Sequence, residues 1–341
     1  MTAGKLVHSV ITSQPEAWTK VISSRDYVWQ PQDRVLCVGS GSSYYLALVV
    51  AALGANIGLD IVALPTQDVI LEHGAILRAF SALVIISRSG ETSEAVWAAQ
   101  MAKTTGKSVL AVSCNANASL HSYADASWIL PFAHDHTVVM TRSFTSMLLA
   151  FEMAFARYVG HTAITQDIQA MVGNSEAFIQ QSEQTIQQMV KVPPRRVYVL
   201  GSGVRYGTAL EGALKCLEMS NEVAAAYRPL EFRHGPWGSV TAEDMVVILG
   251  QASHANHERQ VLLDLAKRTE KLLVVGQSQW FDQHDVPGMS LVLPDYSDRW
   301  LGPMAVVPLQ WLGFYWAVNT GRDPDVPKNL DQVVDLQYDR H

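Results

Sequence analysis

The sequence predicts an α/β protein made of two tandem, doubly wound domains with mainly parallel sheets, related by an internal repeat. Three observations carry this. Short, wholly apolar runs end in loops of small polar residues that open helices, the pattern of parallel strands buried on both faces. The order of these units recurs after 162 to 164 residues. The 341 residues are 48% hydrophobic and 17% charged, a composition of well-packed globular chains, with room for two domains of ~150 residues each.

Taken in order, residues 4–23 read as an amphipathic helix in which Pro15 marks a break or a new start. Residues 34–38 (RVLCV) form a first strand. It ends in Gly39, Ser40, Gly41, Ser42 and Ser43, and a helix follows over 44–54. Residues 61–64 form a second strand. A third, at 82–86, runs into Ser87, Arg88, Ser89, Gly90, Glu91 and Thr92 and then a helix over 93–103. Strands follow at 109–112 and at 128–130, the latter closed by Pro131. Helical stretches at 143–158 and 165–190 separate this half from the next. There 196–203 repeats 34–41, 245–249 repeats 82–86, 271–275 repeats 107–111, and 292–294 repeats 129–131. Four landmarks at nearly one spacing are read as two domains of like topology. The first, 1–160, has the N-terminal helix and the hydroxyl-rich loops. The second, 161–341, ends in a C-terminal tail.

A net charge of −7 and the lack of any basic run oppose binding to nucleic acid or an anionic membrane. Cys37, Cys114 and Cys216 are odd in number and widely scattered, which suits neither a disulfide framework nor a zinc site and favours a reducing compartment. Residues 1–14 lack a signal-peptide core, and the longest apolar run, near 46–53, is too short to span a bilayer. A cytoplasmic protein is expected.

Two stretches carry chemistry. In the first half, a strand that ends in Ser87-Arg88-Ser89-Gly90-Glu91-Thr92 and opens a helix is an anion-binding arrangement. Helix N–H groups and three hydroxyls supply donors, and Arg88 can add charge. Ser42 and Ser43 occupy the same end of a neighbouring strand, where ligands bind in such sheets. The cradle suits one phosphate monoester and lacks the glycine–lysine pattern of a nucleotide loop. The equivalent second-half loop, 250–255, largely lacks these donors. The other stretch is 211–236. Leu210, Leu214 and Leu217 form an apolar stripe on a helix, and Glu211, Lys215 and Glu218 form a polar stripe beside it. A carboxylate desolvated there can exchange a proton near neutral pH. The helix fades at Asn221, and His234 follows in a turn. His134-Asp135-His136 is read as a loop rather than a metal site, residues 141–146 as a helix-capping segment, and the aromatic segment 300–316 as core or dimer contact.

These motifs resemble the sugar isomerase (SIS) domain family along nearly the whole chain. GSGSSY (39–44), SRSGET (87–92), ALEGALKCLEMS (209–220), EFRHGP (231–236) and DPDVPKNLDQVV (323–334) occur in the order found in the isomerase half of glucosamine-6-phosphate synthase. VVMTRSFTSM (138–147) is similar to the shorter branch of AgaS-like proteins and class II glucosamine-6-phosphate deaminases. The resemblance implies two tandem SIS domains with flavodoxin-like layers. It implies that Ser42, Ser43, Ser87, Arg88, Ser89 and Thr92 hold a sugar phosphate. Glu218 would move a proton between C1 and C2, supported by Glu211 and Lys215. His234, commonly supplied by the partner subunit of a homodimer, would help open the ring. No metal or organic cofactor is implied. Two departures oppose amino-sugar synthesis. Gln332 stands where the synthase carries an imine-forming lysine, and the chain begins directly with the sugar-binding half, with no glutaminase domain ahead of it. The expected reaction is conversion of glucosamine 6-phosphate to fructose 6-phosphate and ammonia. A phosphorylated fructose–amino acid deglycase and a phosphosugar ketose/aldose isomerase are the alternatives, and a sugar-phosphate sensor is the non-enzymatic one.

Overall fold

The computed structural model describes residues 3–30, 32–281, 286–334 and 336. The outermost residues of the two expected domains, Met1, Thr2 and 337–341, lie outside these. In the first half, helices α1 (Lys5–Thr12) and α2 (Gln14–Ser23) precede β1 (Val35–Gly39), α3 (Ser42–Asn56), β2 (Ile61–Pro65), α4 (Thr66–Leu71), β3 (Ala82–Ile86), α5 (Ser93–Thr104), β4 (Ser108–Ser113) and β5 (Ala126–Ile129). Helices α6 (Arg142–Tyr158), α7 (Thr162–Gly173) and α8 (Ser175–Met189) lead to the second half. It contains β6 (Val197–Gly201), α9 (Val204–Ser220), β7 (Ala224–Tyr227), α10 (Pro229–Phe232), β8 (Met245–Leu249), α11 (Ala255–Leu265), β9 (Leu272–Gln277), α12 (Ser278–Phe281), β10 (Met289–Leu293) and α13 (Gly302–Asn319). The break expected at Pro15 is the α1–α2 junction: Pro15 sits in the first turn of α2, where its missing N–H costs nothing.

The two five-stranded sheets are built alike. Strand order is β2-β1-β3-β4-β5 in one and β7-β6-β8-β9-β10 in the other, and all pairings are parallel. The repeat therefore holds in topology as well as spacing. Gly41 and Gly203, at the same point of the two copies, share one positive-φ backbone (55° and 52°) that an L side chain resists.

The central strands alternate their side chains between two cores. Val35 and Cys37 of β1, with Val197 and Val199 of β6, enter one shared core. Leu36 and Val38 enter a separate core behind the first sheet, and Tyr198 and Leu200 one behind the second. The shared core holds the layer of helices between the sheets, including α3, α6, α9 and α13. Trp311 and Trp316 of α13 are buried there, so the aromatic segment is core. Burial of both sheet faces explains why the strands read as unbroken apolar runs.

Within the helical layer, α3 and α9 cross closely at Gly207. A Cβ there would come within 2.6 Å of the Tyr45 carbonyl oxygen and of Val49 Cγ2. Gly207→Ala should therefore push the helices apart and destabilise the protein by about 1–3 kcal/mol, the usual cost of overpacking. A lower urea midpoint at unchanged m-value would show it.

Candidate active site

The carboxyl edge of the first sheet gathers most of the expected residues. After β1 the chain turns through Ser40 and Gly41 into α3; after β3 it turns through 87–92 into α5. Ser42, Ser43, Ser87, Arg88, Ser89 and Thr92 all line one cavity of about 200 Å³. Its loops are held by their own hydroxyls. Ser87 Oγ accepts the Gly90 N–H at 3.1 Å, and Ser89 Oγ accepts the Glu91 N–H at 3.1 Å. Two helices begin at this cavity, so their positive dipole ends and hydroxyls favour an anion in it.

Glu218 lines the same cavity, although it comes from α9 of the second half. Lys215, fully buried one turn earlier, is the link. Its Nζ lies 2.6 Å from Glu218 Oε2 and 3.3 Å from Glu211 Oε1, and it donates to Ser42 Oγ at 3.0 Å. Burial works against the Lys215 charge, but Glu211 and Glu218 outweigh it and hold the ammonium above its ordinary range. Burial likewise pushes the Glu211 carboxyl up to about 7, with Lys215 opposing and Glu218 adding to the rise. Tyr45, two residues after Ser43, is raised by burial and then by Glu211 and Glu218. The helix differs from the sequence expectation in one respect. Glu211 and Lys215 are the buried stripe, whereas Leu217 is 44% exposed. The polar face points inward because its charges pair with one another and the other half adds the Ser42 hydroxyl.

Arg88 is only 5% exposed and lines the cavity. Its Nη1 donates to the Thr137 carbonyl and its Nη2 to the Gln332 carbonyl, both at 3.1 Å. The tail thus returns across the first half: Asp331, Gln332 and Val334 form one wall of the cavity. His234 stands apart. It is exposed in the loop after α10 and does not line the cavity.

Asp135, inside the His134-Asp135-His136 loop, is a buried capping group that sequence reading left without a role. Its carboxylate accepts from the N–H groups of Thr141, Arg142 and Ser143 at the start of α6, and from the Ser143 hydroxyl. The only sequence signal was an acidic residue a few positions ahead of a helix start. Among the described residues no three His, Cys, Asp or Glu side chains are grouped to hold a metal ion, and no helix is long and apolar enough to cross a membrane.

At the equivalent mouth of the second sheet, carboxylates of the chain itself take the donors of the loop after β8. Glu258 accepts from the Gln251 N–H at 3.0 Å, the Ser202 hydroxyl at 2.8 Å and the Trp280 indole at 2.8 Å. Asp298 accepts from the Ala252 N–H at 3.1 Å. At the 163-residue spacing of β3 and β8, Glu258 corresponds to Ala95, which lines the open cavity.

Since the fold favours the neutral acid at Glu211, that contribution to stability is fully present below its ordinary value of 4.5 and is lost as pH rises through about 7. Glu211→Gln should flatten this part of the pH dependence. Urea midpoints measured at about pH 5 and about pH 8 should differ less in the variant than in the parent protein.

Comparison with known proteins agrees with this geometry. The SIS domain family matches residues 30–157 and 192–279. The isomerizing glutamine–fructose-6-phosphate aminotransferase of Pyrococcus horikoshii is 26% identical over 314 residues, covering 89% of this chain and 52% of that protein. The D-galactosamine-6-phosphate deaminase AgaS of a Shewanella species is 28% identical over 352 residues, covering 95% of this chain and 88% of that protein. The crystal structure of a glucosamine-6-phosphate deaminase from Thermotoga maritima superposes with a TM-score of 0.84 at 26% identity, covering 97% of this chain and 100% of that one. The chain spans about half the length of the aminotransferase and most of the two deaminases. With more than half its residues matched and both sheets in one strand order, this chain belongs to the SIS domain family.

Proposed function

We propose that this protein is a phosphosugar deaminase that converts glucosamine 6-phosphate and water to fructose 6-phosphate and ammonia. One observation carries the reading: a carboxylate from the second half, Glu218, and the hydroxyl-rich loops of the first half line a single cavity. An open-chain phosphosugar anchored by its anion at 87–92 would have its C1–C2 end within the same space. Ser42, Ser43, Ser87, Ser89 and Thr92 hold the phosphate, with the Arg88 charge close by. Glu218 takes the C2 proton and returns it at C1, turning the aldose amine into a ketose imine. Water then adds at C2 and ammonia leaves. Lys215 and Glu211 set the charge and orientation of Glu218. No cofactor enters these steps, because the sugar's own carbonyl and amine acidify the proton.

His234 enters from a second copy in this reading. It is exposed and outside its own chain's cavity. Leu230 of the adjoining α10 is an apolar side chain left 50% exposed by the chain itself, which suits a homodimer contact. The boundary between the halves is taken after residue 160, in the connection between α6 and α7.

The similarity to a galactosamine-6-phosphate deaminase over 88% of that protein supports the C4 epimer as a second substrate candidate. Purified protein is to be incubated with each amino-sugar phosphate and ammonia assayed. Release from either supports a deaminase. No ammonia from both, with ketose/aldose turnover of another phosphosugar, rejects it. Glu218→Gln should lower kcat by ~10²–10⁴, the usual worth of a positioned acid–base group, with KM little changed. Light scattering should give a solution mass of twice 37.5 kDa; a monomer that is fully active would remove His234 from the mechanism.

A further inference from the structure

Arg88 sits between two cavity-lining serines, yet its side chain reaches sideways to the C-terminal tail. We propose that Arg88 is a positioning residue that latches the tail to the phosphate loop, so that an anion on the loop and closure of the tail strengthen each other. This rests on the phosphate reading of the loop given above.

The latch has three members. The Arg88 fork spans two carbonyls, those of Thr137 and Gln332. The Gln332 amide closes the triangle by donating to the carbonyls of Thr137 and Asp135, each at 3.3 Å. The tail then continues to the start of α5, where the Leu336 N–H donates to Ser93 Oγ at 3.0 Å and the Val334 carbonyl accepts the Ser93 N–H at 3.4 Å. One residue thereby joins the phosphate loop, the loop before α6 and the tail.

Electrostatics gives the coupling its sign. The carboxylate facing Arg88, Asp135, lies 4.0 Å away and already serves the α6 N-terminus. The two carbonyls on the guanidinium are neutral. The nearly buried Arg88 cation thus has this carboxylate at 4.0 Å and otherwise neutral carbonyls around it, and an anion held by the loop lowers the cost of its burial. That benefit exists only while the fork stays in place, and the fork stays in place only while the tail supplies its carbonyl. A lysine keeps the charge but cannot bridge two carbonyls with one planar group.

The test is hydrogen exchange of the full-length protein with and without inorganic phosphate, read in the tail from Asp331 onward, with phosphate affinity measured in parallel. In the parent protein phosphate should slow tail exchange at least ~5-fold, the lower end of ordinary coupling between sites. In Arg88→Lys that slowing should disappear, and by reciprocity phosphate should bind more weakly by the same factor. Exchange within β1 and β3 reports whether the variant is folded. If it is not, Gln332→Ala trims the tail side of the latch and should also reduce the slowing. The proposal is overturned if phosphate leaves the parent tail unchanged, or if Arg88→Lys or Gln332→Ala keeps the full slowing. Weaker phosphate binding in Arg88→Lys with tail slowing intact also overturns it, since Arg88 would then be a plain phosphate ligand. No phosphate binding at all removes the loop's anion role and the latch with it. Intact coupling without ammonia release leaves the latch standing and rejects only the deaminase.

Discussion

Everything at this site depends on a buried cation shared by the two halves. Lys215 has no exposed surface, and removing an ammonium from water costs several kcal/mol even after the protein relaxes. It is tolerated because Glu211 and Glu218 flank it on its own helix and Ser42 accepts from it across the crossing. The crossing can be that close because position 207 carries no side chain. Breaking such a cluster by removing one partner usually costs more than the pair ever contributed. The arrangement therefore fixes where α9 lies against α3, and with it which sheet edge Glu218 faces.

The division of labour between the halves follows. A duplicated α/β unit supplies two sheet edges that could each take a ligand. Here the carboxyl edge of the first sheet supplies hydroxyls and helix N–H groups, α9 of the second half supplies Glu218, and both line one cavity. The tail adds a third wall from the far end of the chain, and Arg88 is where that wall is fastened.

Much of this was legible in the sequence, for reasons particular to its residues. The repeat could be read because strands buried on both faces leave apolar runs, and because Gly39 to Ser43 and Gly201 to Gly203 punctuate them alike. The hydroxyl loops could be read because a strand ending at a helix start is local. Long-range pairings could not. Leu210, Leu214 and Leu217 look like the inward stripe by composition, yet the charged stripe is buried, and the Ser42 hydroxyl that accepts from it lies 173 residues away. Asp135 resembles any loop acid until α6 is seen to begin on it. Arg88 reads as a free charge for an anion, and its engagement with Gln332, 244 residues on, leaves no periodic trace.

The two mouths also differ in how they are kept in shape. In the second, the Glu258 and Asp298 carboxylates of the chain itself accept the Gln251 and Ala252 N–H groups. In the first, the methyl of Ala95 stands at the position equivalent to Glu258 and lines the cavity. One copy of the unit thus carries its own carboxylate at this point of the mouth, and the other leaves a methyl beside open space there.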